Sequence, residues 1–293
     1  MVGPAPLTDA PALQVEALLD GMERLSAQGN LALRVLWMAD DPNTALSDLV
    51  HAVEGDPVLV ARLLRLANSA YSSSHQPIAS VDRAIVWLGY STVRTIATVV
   101  ACGLGDSVPA GFWTHVAATA TASQLVAWRF GVDPGEAFAV GLLHDLGRGI
   151  FHLADPEGSI GIDRRLERDR QDAATVSPGS PWHHHLDRLV LERARFGMTH
   201  ADAAARVLGA WNLPAGMVTA IAGHHQPLDA TTGESVRMLV AAEAMAELAL
   251  GAWDEPVDSE GGLALLDLDL DRLDVIVRRI RNESADLAAV LTL

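Results

Sequence analysis

Cysteine is almost absent: the 293-residue chain has one, Cys102, in the apolar run "IATVVACGLG". A disulfide framework is excluded, and a reducing, cytoplasmic setting is expected. The thiol itself reads as a small buried hydrophobe. Aromatic residues are scarce at 5%, and β-branched residues rarely alternate with polar ones, which removes the usual signature of sheets. Positive charge is also short, with 21 Lys and Arg against 37 Asp and Glu and a formal net charge of −16. That field opposes nucleic-acid phosphates and anionic bilayer surfaces, so neither is expected as a partner. A local basic cleft for one small phosphorylated ligand stays compatible with it. Long apolar runs are missing too: "TVRTIATVVACGLG" carries Arg94 and "RMLVAAEAMAELAL" carries Glu243 and Glu247, so no membrane span is expected. The opening "MVGPAPLTDAPALQ" lacks a positive stretch leading into an apolar one, and no secretory signal is expected.

What is present points to helices. The chain is 49% apolar and rich in alanine and leucine, enough to bury the core of one large domain or two ordinary ones. In "DPVLVARLLRLANSAY", Val58, Leu59, Ala61, Leu63, Leu66 and Ala67 recur at three- and four-residue steps. Asp56 and Pro57 supply its N-cap and first helical residue. Comparable runs are "ALQVEALLDGMERLSAQ", "ALSDLVHAVEG", "SVDRAIVWLGYSTVRTIATVVACGL", "WTHVAATATASQLVAWRFG", "DPGEAFAVGLLHDLGRGIF", "HLDRLVLERARF", "THADAAARVLGAW", "PAGMVTAIAGHH" and "ESVRMLVAAEAMAELALGAW", with a last one near 270 to 290. Half of the ten quoted runs open on Ser, Thr, Asp or Pro, as helix starts do. The expected fold class is all-α.

The Gly- and Pro-bearing stretch "GLGDSVPAGF", residues 103 to 112, is the expected boundary between an N-terminal helical subdomain, 1–105, and a second, 106–293. Residues 154–182 are polar and charged and end in Ser-Pro-Gly-Ser-Pro. They read as a long polar insertion, a loop carrying one charged helix.

Eleven histidines are unevenly spread. His115, His144, His200, His224 and His225 stand on or at the edge of apolar helical runs, where imidazoles need partners. Taken singly, a histidine on an apolar helix face is more often a core residue bonded to a carbonyl, and His224-His225 reads as a helix cap. Taken together with Asp145, they form a set able to converge on one or two divalent ions. Imidazole and carboxylate suit Fe, Mn, Zn, Co or Ni, and one carboxylate can bridge two ions. His183, His184 and His185 read as a solvated helix start, while His51, His75 and His152 are isolated.

The order of these motifs resembles the HD superfamily of metal-dependent phosphohydrolases, and more closely its HDOD branch of bacterial signalling output domains. The resemblance runs from about residue 30 to 250. "DPVLVARLLRLANSAY" and "PIASVDRAIVWLGYSTVRTIA" match the first half of the pattern; Trp113 with His115, "AFAVGLLHDLGR", "LERARFGMTHADAAARVLGAWNLP" and "AIAGHH" match the second. It implies an N-terminal helical bundle packed on an HD-like helical bundle. It also implies metal ligands at His115, His144, Asp145, His200, His224 and His225, with Glu243 where relatives carry aspartate. Arg148 stands where HD proteins carry the lysine of "HDxGK"; arginine binds phosphate but does not transfer protons at neutral pH. The Gly-Tyr-Pro loop of cyclic-di-nucleotide phosphodiesterases has no counterpart here.

Two functions follow as expectations. One is a regulatory output module with a metal-binding pocket and little turnover, signalled to by a separate sensor kinase, cyclase or regulator, or by a small phosphorylated ligand. The other is a metal-dependent phosphohydrolase or phosphodiesterase on a nucleotide-type substrate. In it Asp145 orients the attacking water between the ions and Arg148 steadies charge on phosphate. A scaffold with merely packed histidines is the third reading.

Overall fold

The computed structural model describes residues 10–23, 31–68, 77–104, 108, 111–176, 184–251 and 261–291, and it is all-α. The first half comprises α1 (Ala10–Glu23), α2 (Leu31–Asp40), α3 (Leu46–Glu54), α4 (Pro57–Asn68), α5 (Val81–Leu88) and α6 (Tyr90–Ala101). The second comprises α7 (Phe112–Phe130), α8 (Pro134–Leu143), α9 (Leu146–Ala154), α10 (Pro156–Val176), α11 (His184–Phe196), α12 (His200–Ala210), α13 (Ala215–Gly223) and α14 (Glu234–Leu250). A short 3-10 turn, Leu263–Leu266, then leads into α15 (Leu270–Leu291).

Short polar side chains fix where several helices begin. Asp56 Oδ1 accepts from the amides of Val58 and Leu59 at 2.9 and 3.2 Å, and Asp133 Oδ1 caps α8 in the same way. Thr199 and Asp202 form a reciprocal capping box that makes His200 the first residue of α12. Each such cap contributes about 1 kcal/mol, and the last one places a site residue.

The centre of the molecule is α7, whose Ala117, Ala118, Ala120, Ala122 and Ala127 are buried. Their small side chains let α8, α14 and α15 pack closely around it. On the other side α2, α3 and α4 gather on α5 and α6, and α6 rests on α8, so one apolar core runs from Val15 to Leu291. Buried Cys102 belongs to it. α1 leaves the N-terminal helices and packs on α9, α11 and α12. Polar ties hold it there: Trp211 Nε1 donates to Met22 O at 2.9 Å, and Arg206 reaches Glu16 and Asp20 at 2.6 Å each.

Four features depart from the reading of the sequence. The run from Val81 to Ala101 is two helices bent by 109° at Gly89, whose backbone has φ 79° and ψ 157°. "DPGEAFAVGLLHDLGRGIF" likewise breaks between α8 and α9, at His144 and Asp145. The polar insertion is mostly one 21-residue helix, α10, anchored by buried Ser159, Ile162 and Leu166. α2 was not among the expected helices. His75, His183, Ser69 to Tyr71 of the "LANSAY" motif, part of the 103–112 boundary and the Ser-Pro-Gly-Ser-Pro stretch lie outside the described residues. Among the described residues no single helix is long and apolar enough to cross a membrane.

A Cβ on Gly89 would meet no atom within 4 Å, so substitution there tests the backbone alone. Gly89→Ala is expected to lower unfolding stability in urea by about 1–3 kcal/mol, the strain of a side chain in this glycine-only region; an unchanged midpoint contradicts the bend as described.

Candidate metal centre

Six helices bring the candidate ligands to one place. His115 comes from the first turns of α7, and His144 and Asp145 from the break between α8 and α9. His200 opens α12, His224 and His225 end α13, and Glu243 lies mid-way along α14. The close approach of α9 to α12 depends on Gly147: a Cβ there would sit 1.9 Å from the His200 carbonyl oxygen. His144, Asp145, His200, His224, His225 and Glu243 are all buried, and His115 is partly so.

The side chains sort into two groups, His115 with His144 and Asp145, and His200 with His224 and His225; within each, the ligand atoms lie within 4.8 Å of one another. The Nε2 atoms of His115 and His144 are 3.2 Å apart, and those of His200 and His225 are 3.0 Å apart. Asp145 stands between the groups. Its Oδ1 is 3.2 Å from His200 Nε2, while its Oδ2 is 3.4 and 3.7 Å from His115 and His144. Glu243 Oε1 lies 4.0 Å from both His115 and His144 Nε2.

This arrangement fits metal ions. Atoms held about 2.0–2.2 Å from one shared ion lie roughly 3–4.4 Å from each other, the range seen here. Three rings are turned for the purpose. His144 Nδ1 donates to Gly141 O at 2.7 Å, His224 Nδ1 to Ile221 O at 2.6 Å, and His200 Nδ1 to Glu192 Oε2 at 2.7 Å. With the proton fixed on Nδ1, each Nε2 presents a lone pair to the centre. His224 Nε2 is buried with no hydrogen-bond partner, as expected of an atom whose partner is an ion.

Burial favours the neutral form of His115, His144 and His224. It drives His115 down from 6.5 to about 3, against the pull of Asp145 and with help from His144 and Arg148. Burial also lowers His144, and it lowers His224 well below the ordinary range together with His144 and His200. Burial opposes ionisation of Asp145, but Arg148, then His144, His200 and His115, outweigh it and hold the carboxyl well below its usual value. Arg148 Nη1 donates to Asp145 Oδ2 at 2.6 Å. Burial works against the charge of Arg148, yet Asp145 and Asp163 hold its pKa above the usual arginine value.

All seven residues singled out as ligands therefore meet in one place, with Arg148 beside them. Sequence reasoning missed three neighbours. Glu192, 1% exposed, orients His200 and also accepts from its amide at 2.9 Å. Asp163 on α10 and Arg188 on α11 pair at 2.6 Å next to Arg148. Nothing in the local sequence distinguishes these three from solvated surface charges. His152 is buried rather than merely isolated, and His51 is exposed.

Comparison with known proteins places this architecture. The family model of the HDOD domain matches residues 25–227. A solved structure from Shewanella amazonensis SB2B bearing a phosphohydrolase name is 23% identical with a TM-score of 0.69, covering 96% of this chain and 98% of that one. Another, from Marinobacter aquaeolei VT8 and named for signal transduction, is 22% identical with a TM-score of 0.67, covering 98% of this chain and 67% of the other. At these identities the two attest to the fold. An uncharacterized protein of Treponema pallidum (strain Nichols) is 23% identical over 222 residues, 71% of this chain; the match takes in 39% of that protein's length.

Two outcomes are expected from this geometry. Gly147→Ala forces α9 off α12 and should lower stability by about 2 kcal/mol or more, with metal content falling in parallel; retention of both contradicts the close approach. The second concerns pH. Unfolded histidines take up protons below 6.5, whereas His115, His144 and His224 take them up only at lower pH, His115 near 3, so the unfolded state binds more protons and stability falls as pH drops below 6.5. The stability that Asp145 contributes is present above 3.8 and is lost on further acidification. The melting temperature of chelator-treated protein should fall between about pH 7 and pH 4.5, and less steeply in His224→Gln; a flat profile contradicts neutral burial.

Proposed function

This chain belongs to the HDOD family, and on that premise we propose that it is a regulatory output module of bacterial signal transduction whose buried pocket holds one or two divalent metal ions. The observation that carries the reading is the position of Asp145, with one oxygen toward each histidine group. His115, His144, Asp145 and Glu243 would hold one ion, and His200, His224, His225 and Asp145 the other. The nitrogen and oxygen donors suit Fe, Mn, Zn, Co or Ni. When bound, such ions would supply Lewis acidity toward a phosphate oxygen.

The chain's own residues favour regulation over rapid turnover. His144, His200 and His224 each have Nδ1 committed to an acceptor outside the pocket and Nε2 turned inward, which leaves none of these three as a proton shuttle. Arg148 steadies Asp145 and stays charged, so it holds an anion rather than moving a proton. Glu243 reaches the His115 group from the edge, in place of the shorter aspartate of relatives. In this reading residues 1–105 form the N-terminal subdomain, with α1 reaching across to α9, α11 and α12, and 106–293 carry the pocket. The module works in the cytoplasm and takes its signal from a separate sensor kinase, cyclase or regulator, or from a small phosphorylated ligand. The net charge of −16 argues against nucleic acid or membrane as the partner.

A metal-dependent phosphohydrolase is the second reading, supported by the intact ligand order and by Arg148 beside it. Metal analysis of the purified protein paired with turnover on mono-, di- and cyclic nucleotides separates the two. The module predicts one to two equivalents of metal, little turnover, and metal affinity at least about tenfold weaker in Asp145→Ala. Rapid turnover that Asp145→Ala abolishes establishes the enzyme, and absence of metal under every loading condition overturns both.

A further inference from the structure

Beside the metal centre, two guanidinium groups from different helices converge on a single carboxylate. Arg148 of α9 sends Nη1 to Asp145 and places Nη2 3.8 Å from Asp163 Oδ1. Arg188 of α11 donates through Nη2 to the same Asp163 oxygen at 2.6 Å and places Nη1 3.8 Å from Glu192 Oε1. Two of the three carboxylates have other duties. Asp145 faces both histidine groups, and Glu192 Oε2 accepts from His200 twice. Asp163 is thus the one carboxylate whose described polar contacts are with the two arginines alone.

The order of exposure matters. Arg148 and Arg188 are 19% and 17% exposed, while Asp163, carried on α10, is 31% exposed. The cations lie inside and the anion covers them from the solvent side. Behind it on α9, His152 Nδ1 is buried without a hydrogen-bond partner, and Asp163 is the charge that acts on its ring. Two guanidinium forks offer more donors than one carboxylate can accept, whereas a phosphoryl group presents three oxygens with tetrahedral spread. Burial and the nearness of Arg148 lower the pKa of Arg188 more than Asp163 and Glu192 raise it, so a further anion beside this charged guanidinium would be welcome.

We propose that Arg148 and Arg188 form a subsite for the phosphoryl group of a small ligand, and that Asp163 occupies it as a displaceable plug when the ligand is absent. This rests on reading the neighbouring pocket as a ligand-binding centre, and it adds the chemical class of the ligand and a built-in competitor that sets its affinity. The ligand's phosphoryl group trades places with a tethered carboxylate, so binding is coupled to α10. That gives a buried pocket a readout on the outer face of the molecule.

The test is calorimetric titration of metal-reconstituted protein with inorganic phosphate. Asp163→Asn is expected to bind phosphate about tenfold more tightly than the wild type, because a competing charge is gone. Adding Arg188→Gln to that variant should return affinity to the wild-type level or below, with metal content equal in all three. Equal affinity of Asp163→Asn and wild type overturns the plug. A gain that survives Arg188→Gln overturns the subsite and places the phosphate on the metals alone. If Asp163→Asn does not fold, Asp163→Ser and the single variant Arg188→Gln take its place; Arg188→Gln alone should weaken phosphate binding about tenfold, and no change overturns the proposal. Should the protein hold no metal, the metal reading fails by itself, and the same titrations on metal-free protein still decide the subsite.

Discussion

A carboxylate buried among apolar helices is expensive unless charges and donors surround it, and Asp145, 2% exposed, is in that position at the meeting of α8 and α9. Its compensation comes from elements far apart in sequence: Arg148 one turn on, His115 from α7 and His200 from α12. Holding these together constrains much of the second half of the chain. The alanine-lined α7 lets α8 and α14 lie close, Gly147 lets α9 touch the start of α12, and the Thr199–Asp202 capping box fixes where α12 starts.

The histidines obey a complementary rule. A neutral imidazole has one donor and one acceptor nitrogen. Gly141, Ile221 and Glu192 take the donor of His144, His224 and His200, so the acceptors turn to the centre without further choice. Orientation is therefore set by helix-end carbonyls and one buried glutamate. The same logic explains why Glu192 is buried at all: its carboxylate is consumed by His200 from two atoms. The outer arginine pair extends the pattern toward solvent, with Arg148 and Arg188 both facing Asp163.

Much of this was legible in the sequence. Alanine- and leucine-rich runs with Asp, Thr and Pro at their starts specified helices, and the Asp56 and Asp133 caps are where the pattern put them. The ligand-like set was legible because histidines on apolar faces demand partners. What escaped were properties set by tertiary context. The bend at Gly89 reads as an uninterrupted apolar run, since glycine is tolerated in both settings. One charged helix was expected within 154–182, but not its 21-residue length; among its residues with described side chains Ser159, Ile162 and Leu166 are buried, and its packing on α9 and α11 is set by tertiary context. Glu192, Asp163 and Arg188 look like ordinary solvated charges in one dimension, and only the fold brings them to the centre.

The central claim is that Asp145 separates two metal positions, each completed by its own histidines. Crystals of the metal-reconstituted protein, measured at the absorption edge of the loaded ion, test it most directly. The account predicts anomalous density on both sides of the Asp145 carboxylate when the site is full, one peak beside His115 and His144 and the other beside His200, His224 and His225, or one of these two at partial loading. Anomalous density elsewhere, or none between His115, Asp145 and His225 in protein that has been supplied with each of the five metals, would contradict it.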